Sequence, residues 1–343
     1  MKIKKGEIKV SKDLKISVLN LVYVREGYDS KDAFTRMRLL AEELDHTTYE
    51  RYWISEHHNM KSIASSATRL LIQYTLQHTD RIRVGSGGVM LPNHTPYIVA
   101  EEFGTMYELF GDRLDIGLGR APGTDQLTAN AIRRGNHQGM FNFEDEIREL
   151  QFFLSDKEAH VIANPGLNTN VPLYVLGSST DSAHIAAKLG LPYAFAAHFA
   201  PAMMKEAFEI YERNFQPSEQ LKEPYKMACL NVCVQDTQEE AEYVVTSHYQ
   251  NVFGMITNHR GPMKRPVTNM DDIWSMQHKE IIQTRFPVQI LGDKEKALRD
   301  LEAFQEEYNA DEIIAATAIY DTDAFIKSYK LFEDVVKEYN KKQ

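Results

Sequence analysis

Apolar residues along the chain fall into short, nearly unbroken runs, separated by longer stretches in which they recur three and four apart. The first pattern predicts buried strands and the second amphipathic helices. Strands are expected at Lys15–Leu21, Tyr52–Ser55, Ile82–Leu91, Leu114–Leu118, Val171–Leu176, Tyr193–Ala197, Met227–Val234 and Glu312–Tyr320. Helices are expected at Asp32–Leu44, at Ile63–Gln77 with Ser65 and Ser66 in its first turn, and between the third and fourth strands. Pro96 falls in the first turn of that last helix, where its missing N–H costs nothing. Further helices are read at Phe143–Leu154, Ala183–Leu189, from Pro201, from the capping box Thr237–Glu240 to about Val252, at Gly292–Tyr308, and from the last strand to Tyr339. The pattern lapses at Leu127–Met140, a decorated loop or small helix, and at Gly254–Phe286, which is long for a structureless loop.

Repeated strand–helix pairs predict an α/β protein, a closed (β/α)8 TIM barrel with insertions after strands 4 and 7. The alternative is a doubly wound open sheet with a second domain. The barrel reading makes residues 1–343 a single domain with 254–286 as a mobile lid insertion. It also gathers every strand C-terminus at one mouth.

Composition narrows the function classes. Hydrophobic residues make up 43% and charged residues 26%, an ordinary globular mix. A net charge of −10 argues against a nucleic-acid backbone as partner, which needs clustered Lys and Arg. Cys229 and Cys233 share one predicted strand; on one face they would lie roughly 13 Å apart, too far for a disulfide. Buried thiols, no signal-peptide pattern and no run long enough to span a bilayer lead to the expectation of a cytoplasmic protein without a membrane partner.

At the mouth the strand ends supply Asn20, Glu56, His57, His58, Asn59, Asn93, His94, Arg120, Ser178, Ser179, His198, Thr317 and Tyr320. Four histidines and Glu56 could ligate zinc or another divalent ion, which keeps a metal-dependent barrel hydrolase open. Against it, the first strand has no His-x-His pair, no HExxH occurs, and adjacent His57 and His58 would point apart on a strand. For His58 and His94, ordinary loop hydrogen bonding is the simpler reading. Phosphate recognition has more support. Gly177-Ser-Ser-Thr180 leaves a strand and opens a helix, so backbone N–H groups and hydroxyls converge at the positive end of a helix dipole. Arg120, flanked by glycines, could add a bidentate contact. The competing reading is that Ser178–Asp181 only caps a helix. GLGRAPG at 117–123 is not the dinucleotide fingerprint, because Pro122 stands at the third glycine position, and there is no GxxxxGK[ST].

VGSGGVMLPNHTP, the helix carrying Ala100-Glu-Glu-Phe-Gly104 and GDRLDIGLGRAPGTD closely resemble the bacterial luciferase-like family of flavin-dependent monooxygenases. RYWISEHHNM, YVLGSSTDSAHIAAKLGLPYAFA and PVQILGDKEKALRDLEAF are similar to the same family at matching places, so the likeness covers most of the chain. The resemblance implies a (β/α)8 barrel that takes reduced FMN from a partner flavin reductase using NAD(P)H, and oxygenates a small, apolar organic substrate with O2. It implies His57 as the catalytic residue, stabilising or protonating the flavin–oxygen adduct. Arg120, Ser178 and Ser179 would contact the cofactor phosphate. Ser86, Gly87 and Gly88 would lie under the flavin ring, with a cis peptide between the glycines. A homodimer and a mobile 254–286 lid are further family expectations. Gly119 stands where the luciferase catalytic subunit has a reactive cysteine, so light emission is not implied. A non-catalytic flavin-binding subunit is the alternative within the family.

Overall fold

The computed structural model describes residues 13–133, 142–157 and 160–343. Strand and helix alternate from the start: β1 (Lys15–Asn20), α1 (Ser30–Leu44), β2 (Tyr49–Ile54), α2 (Thr68–Leu76), β3 (Arg83–Met90) and α3 (Pro96–Phe110). After β4 (Leu114–Gly119) come α4 (Gln126–Arg133) and α5 (Phe143–Leu154), then β5 (Leu173–Gly177), α6 (Thr180–Leu189), β6 (Tyr193–Phe195) and α7 (Met204–Asn214). β7 (Lys226–Val234) leads into α8 (Gln238–Val244), α9 (Thr246–Ile256) and α10 (Met276–Arg285). The order ends with β8 (Ile290–Gly292), α11 (Lys294–Tyr308), β9 (Glu312–Ala316) and α12 (Thr322–Lys342).

β1 to β7 pair in sequence order, all parallel, and β9 closes the ring between β7 and β1. This is the closed eight-stranded barrel that the alternation predicts, with helices between the strands and insertions after the fourth and seventh strands. The strands are buried nearly throughout, as parallel strands covered by helices must be. Leu19, Trp53, Tyr174, Ala194, Met227, Cys229, Ile314 and Ala316 fill the barrel interior, while a larger apolar layer joins strands to helices. Helix starts are fixed by side chains that accept backbone N–H bonds: Asp29 on α1, Thr95 on α3, Thr237 on α8, Asp293 on α11 and Asp321 on α12.

Four details differ from the sequence reading. α2 begins at Thr68, because Ala64 and Ser65 are spent on backbone bonds to Val22 and His57. The helix read from Thr237 is two helices, α8 and α9, meeting at Val245. β8 was not expected; it pairs with Val232–Val234 at the upper end of β7, outside the eight-strand ring. Both cysteines are buried, but only Cys229 packs inside the barrel, whereas Cys233 lies in the helix-facing layer with its Sγ 3.7 Å from the Ala241 carbonyl. Of Leu127–Met140, residues up to Arg133 belong to α4, and the rest lie outside the described residues.

Charge is concentrated at the end of the barrel away from the mouth. Arg51 on β2, Arg83 on β3, Asp115 on β4 and Glu312 on β9 converge there. Arg51 Nε lies 3.2 Å from Glu312 and 3.7 Å from Asp115, and Arg83 Nε donates to Asp115 at 2.8 Å. Tyr225 donates to Glu312 at 2.7 Å, Trp53 Nε1 to Asp115 at 3.2 Å, and Ser17 also donates to Glu312. This network plugs the N-terminal face of the barrel, the end that serves stability rather than chemistry in barrels of this kind.

The candidate site at the barrel mouth

The loops after β2, β3 and β4 are sewn together at the mouth. His58 N–H donates to the Gly123 carbonyl at 3.1 Å, Thr124 Oγ1 to the His58 carbonyl at 3.0 Å, and Asn59 Nδ2 to Asp125 at 2.9 Å. Asn93 Nδ2 donates to the Pro122 carbonyl at 2.8 Å, and Arg133 Nε donates to Asn93 Oδ1 at 3.0 Å. The centre of this seam is Glu56, which is 2% exposed. Its Oε1 accepts from His58 Nε2 and from His94 Nε2, both at 2.8 Å, and its Oε2 accepts from the Met90 N–H at 3.0 Å. Burial alone would raise the Glu56 carboxyl, but these hydrogen bonds outweigh it and hold the group well below the usual carboxylate range.

His58 and His94 are therefore loop fasteners, the simpler of the two roles considered for them. Among the described residues, the one group of three His, Cys, Asp or Glu side chains whose ligand atoms lie within 4.8 Å of one another is Asp45, His46 and Asp80, remote from the mouth. Asp45 there already accepts the backbone N–H groups of Asp80, Arg81 and Ile82.

His57 stands between Glu56 and His58 in sequence but turns elsewhere. Its backbone N–H donates to the Ser65 carbonyl at 3.2 Å, and its Nδ1 lies 3.2 Å from Ser55 Oγ. Burial pushes its ring down to about 4, Glu56 opposes this, and His58 and Arg260 add to it. His198, after β6, is pushed down to about 3 by burial, with His57 and His248 as further causes. His248 on α9 is pushed down to about 4 by burial. The mouth thus holds three imidazoles that are neutral at pH 7. His198 Nδ1 and His248 Nε2 are buried with no hydrogen-bond partner among the described residues. His248 was absent from the sequence reading, because no strand end carries it.

Arg120 reaches from the β4 loop to the first turn of α6, where its Nη2 lies 3.3 Å from Asp181 Oδ2, with both side chains exposed. Ser179 is the N-cap residue of α6 but makes no side-chain cap bond, and neither does Ser178 make a side-chain hydrogen bond among the described residues. The reading in which Ser178–Asp181 merely caps the helix is thus not met by Ser179's hydroxyl. The structure brings Arg120, Ser178 and Ser179 to one helix N-terminus.

The peptide between Gly87 and Gly88 is cis, as the resemblance implied. A Cβ on Gly87 would lie 2.6 Å from Leu19 Cδ1, and one on Gly88 would lie 2.7 Å from the Gly117 carbonyl oxygen, so neither position has room for a side chain. Ser86 is fully buried and its hydroxyl donates to the Gly117 carbonyl at 2.9 Å, which binds β3 to β4. Thr317 and Tyr320 likewise spend their hydroxyls on backbone carbonyls, those of Val232 and Glu26.

Residues 254–286 pack against α9: Met270, Trp274 and Ile282 form a small apolar cluster with Val252 of that helix. Met263 is pinned to the β1–α1 loop by backbone bonds with Val24 and Glu26, both at 2.8 Å.

A family profile described as luciferase-like monooxygenase matches residues 14–318. An uncharacterized Bacillus subtilis protein, YddN, is 47% identical over 97% of this chain and 98% of its own length. A protein of Escherichia coli K12 named luciferase-like monooxygenase is 41% identical over 95% of this chain and 98% of its own. The crystal structure of apo-MsnO8 superposes with a TM-score of 0.84 at 27% identity, covering 94% of this chain and 98% of that one. The oxygenating constituent of a Pseudomonas putida 3,6-diketocamphane monooxygenase, solved with FMN, shares the fold at a TM-score of 0.69 and 16% identity, over 94% of this chain and 97% of that one.

Proposed function

The chain belongs to the luciferase-like monooxygenase family, and from that premise we propose that it is an FMN-dependent monooxygenase acting on a small, apolar organic substrate. The observation that carries this reading is the α6 N-terminus. It offers two serine hydroxyls without intramolecular bonds, the positive end of a helix dipole, and an arginine whose recorded partner is an exposed aspartate. That donor set fits a phosphate monoester dianion. Asp181 would have to yield Arg120 to the phosphate, which its exposed position allows.

Arg120, Ser178 and Ser179 hold the phosphate, and the flat ring lies against the Gly87–Gly88 backbone of β3. Ser86 supports that surface through Gly117 rather than by touching the ligand. Bound reduced FMN would supply two electrons, so that one oxygen atom of O2 enters the substrate and the other leaves as water. His57, neutral at the mouth, orients the reacting groups through its Nε2. Residues 254–286 act as a lid that keeps water out, on a chain that works as one barrel domain. The reduced cofactor comes from a separate flavin reductase using NAD(P)H, in keeping with the lack of a dinucleotide fingerprint. The exposed Leu70 on α2 and Leu109 on α3 suit a homodimer, and a cytoplasmic setting suits the two free thiols.

The test is anaerobic titration of the protein with FMN and with reduced FMN, alongside Arg120→Ala. We expect tighter binding of the reduced form and a roughly 10- to 100-fold loss in the variant, the scale of a charge-assisted hydrogen bond. No flavin binding in either redox state would sink the reading.

A further inference from the structure

His57 Nδ1 is the last member of a hydrogen-bonded chain. Ser65 Oγ donates to the Leu21 carbonyl at 3.3 Å, Ser65 and Ser55 hydroxyls lie 2.9 Å apart, and Ser55 Oγ lies 3.2 Å from His57 Nδ1. Ser55 is 1% exposed and Ser65 0%, so no bulk water completes either hydroxyl. The Leu21 carbonyl can only accept. Ser65 therefore gives its proton to Leu21, Ser55 gives its proton to Ser65, and Ser55 can only accept from the imidazole. The proton count agrees. Three contacts need three hydrogens; the serines supply two, and only a protonated Nδ1 supplies the third. With the proton on Nε2, one buried oxygen–oxygen or oxygen–nitrogen contact would hold no hydrogen, which costs free energy in a dry site.

Accordingly we propose that Ser55 and Ser65 are positioning residues that lock His57 as the Nδ1–H tautomer, so that its Nε2 faces the mouth as a hydrogen-bond acceptor for an O–H or N–H group of the bound cofactor or substrate. Neutral His57 has no proton on Nε2 to donate in this arrangement; it receives a hydrogen bond instead. Burial keeps the ring neutral near pH 7, which preserves the Nε2 lone pair. The chain is anchored at its far end by backbone. The Leu21 carbonyl follows β1, and Thr68 Oγ1 donates to the Ser55 carbonyl at 2.8 Å, so strand and helix together fix the two serines. The role of Nε2 in oxygenation rests on the monooxygenase reading above, but the tautomer does not.

The experiment is nitrogen-15 NMR of the histidine-labelled protein at pH 7, with the His57 signals assigned by their loss in His57→Gln. Wild type should show a one-bond proton coupling at Nδ1 and a lone-pair shift at Nε2. Ser65→Ala breaks the chain at its anchor, and Ser55 is then free to donate to Nδ1, so a majority of the ring should move to the Nε2–H form. Ser55→Ala should do the same, and serves if Ser65→Ala does not fold; unchanged signals from the remaining histidines report folding. A wild-type ring protonated on Nε2, or an Nδ1–H ring unmoved in both variants, would overturn the proposal. Reduced FMN and O2 are then supplied to wild type and Ser65→Ala. If the tautomer shifts as expected while wild type oxygenates nothing in a substrate screen, the monooxygenase reading fails and the serine lock stands.

Discussion

Glu312 opens β9 with a carboxylate that is fully buried, and everything around it is arranged to accept that charge: Arg51, Tyr225 and Ser17 all donate to it. A buried ion in such a network contributes through completeness, because removing one member leaves the others uncompensated. Glu312→Gln keeps the volume and removes the charge, leaving Arg51 with Asp115 at 3.7 Å as its remaining carboxylate. We expect a loss of about 3 kcal/mol or more, read as a shifted urea midpoint with unchanged slope; a loss under about 0.5 kcal/mol would show that the network is replaceable. Nothing in the sequence separates Glu312 from any acid at a strand start, because its partners come from β1, β2 and the residue before β7. Glu56 was legible at the mouth and, with the histidines, as a candidate metal ligand; what the sequence hides is that His58 and His94 donate to its carboxylate instead. Arg120, Ser178 and Ser179 were legible in the same way. Strand C-ends in a parallel barrel point to one mouth, so their position follows from topology alone.

At the scale of elements, periodicity predicted almost every helix and strand, and failed where tertiary context overrules it. β8 is three residues long and pairs only with the upper end of β7, too little for any alternation to register. The start of α2 was misplaced because the stretch before it, which looks helical, gives its backbone groups to neighbouring loops. Gly104 in the middle of α3 shows the reverse, a residue that local propensity disfavours and packing demands. A Cβ there would lie 2.3 Å from both Cα and N of Gly166, so the helix presses on the backbone of the loop before β5. On an exposed helix, Gly→Ala stabilises by about 1 kcal/mol. Here Gly104→Ala should instead destabilise by about 1–3 kcal/mol, since a backbone contact has no rotamer by which to yield. Denaturant unfolding of the variant decides the sign, and a stabilised protein would mean that this loop moves freely away from α3.

For the whole molecule, the mouth imposes a pH dependence that belongs to three elements at once. His57, His198 and His248 are pushed down by burial to about 4, 3 and 4, from an ordinary value of 6.5. A depressed imidazole means that the unfolded chain binds protons that the fold refuses, so stability is complete above about pH 6.5 and falls as pH drops toward 4. Two carboxyls act in the opposite direction. Burial raises Glu146 to about 7 and Asp311 to about 6, and the stability linked to them is lost as pH rises through those values. The wild-type profile therefore mixes both signs, and a variant is needed to isolate the histidines. His198→Gln keeps an N–H for the Cys229 backbone while removing the titrating ring. Between pH 6.5 and 4 the wild type should lose stability faster than the variant, by up to about 1.4 kcal/mol per pH unit for one proton, so the two melting curves converge or cross as the solution is acidified. Parallel profiles across that range would mean that His198 takes up its proton in the folded state as readily as in the unfolded one, and that the mouth is wetter than its packing implies.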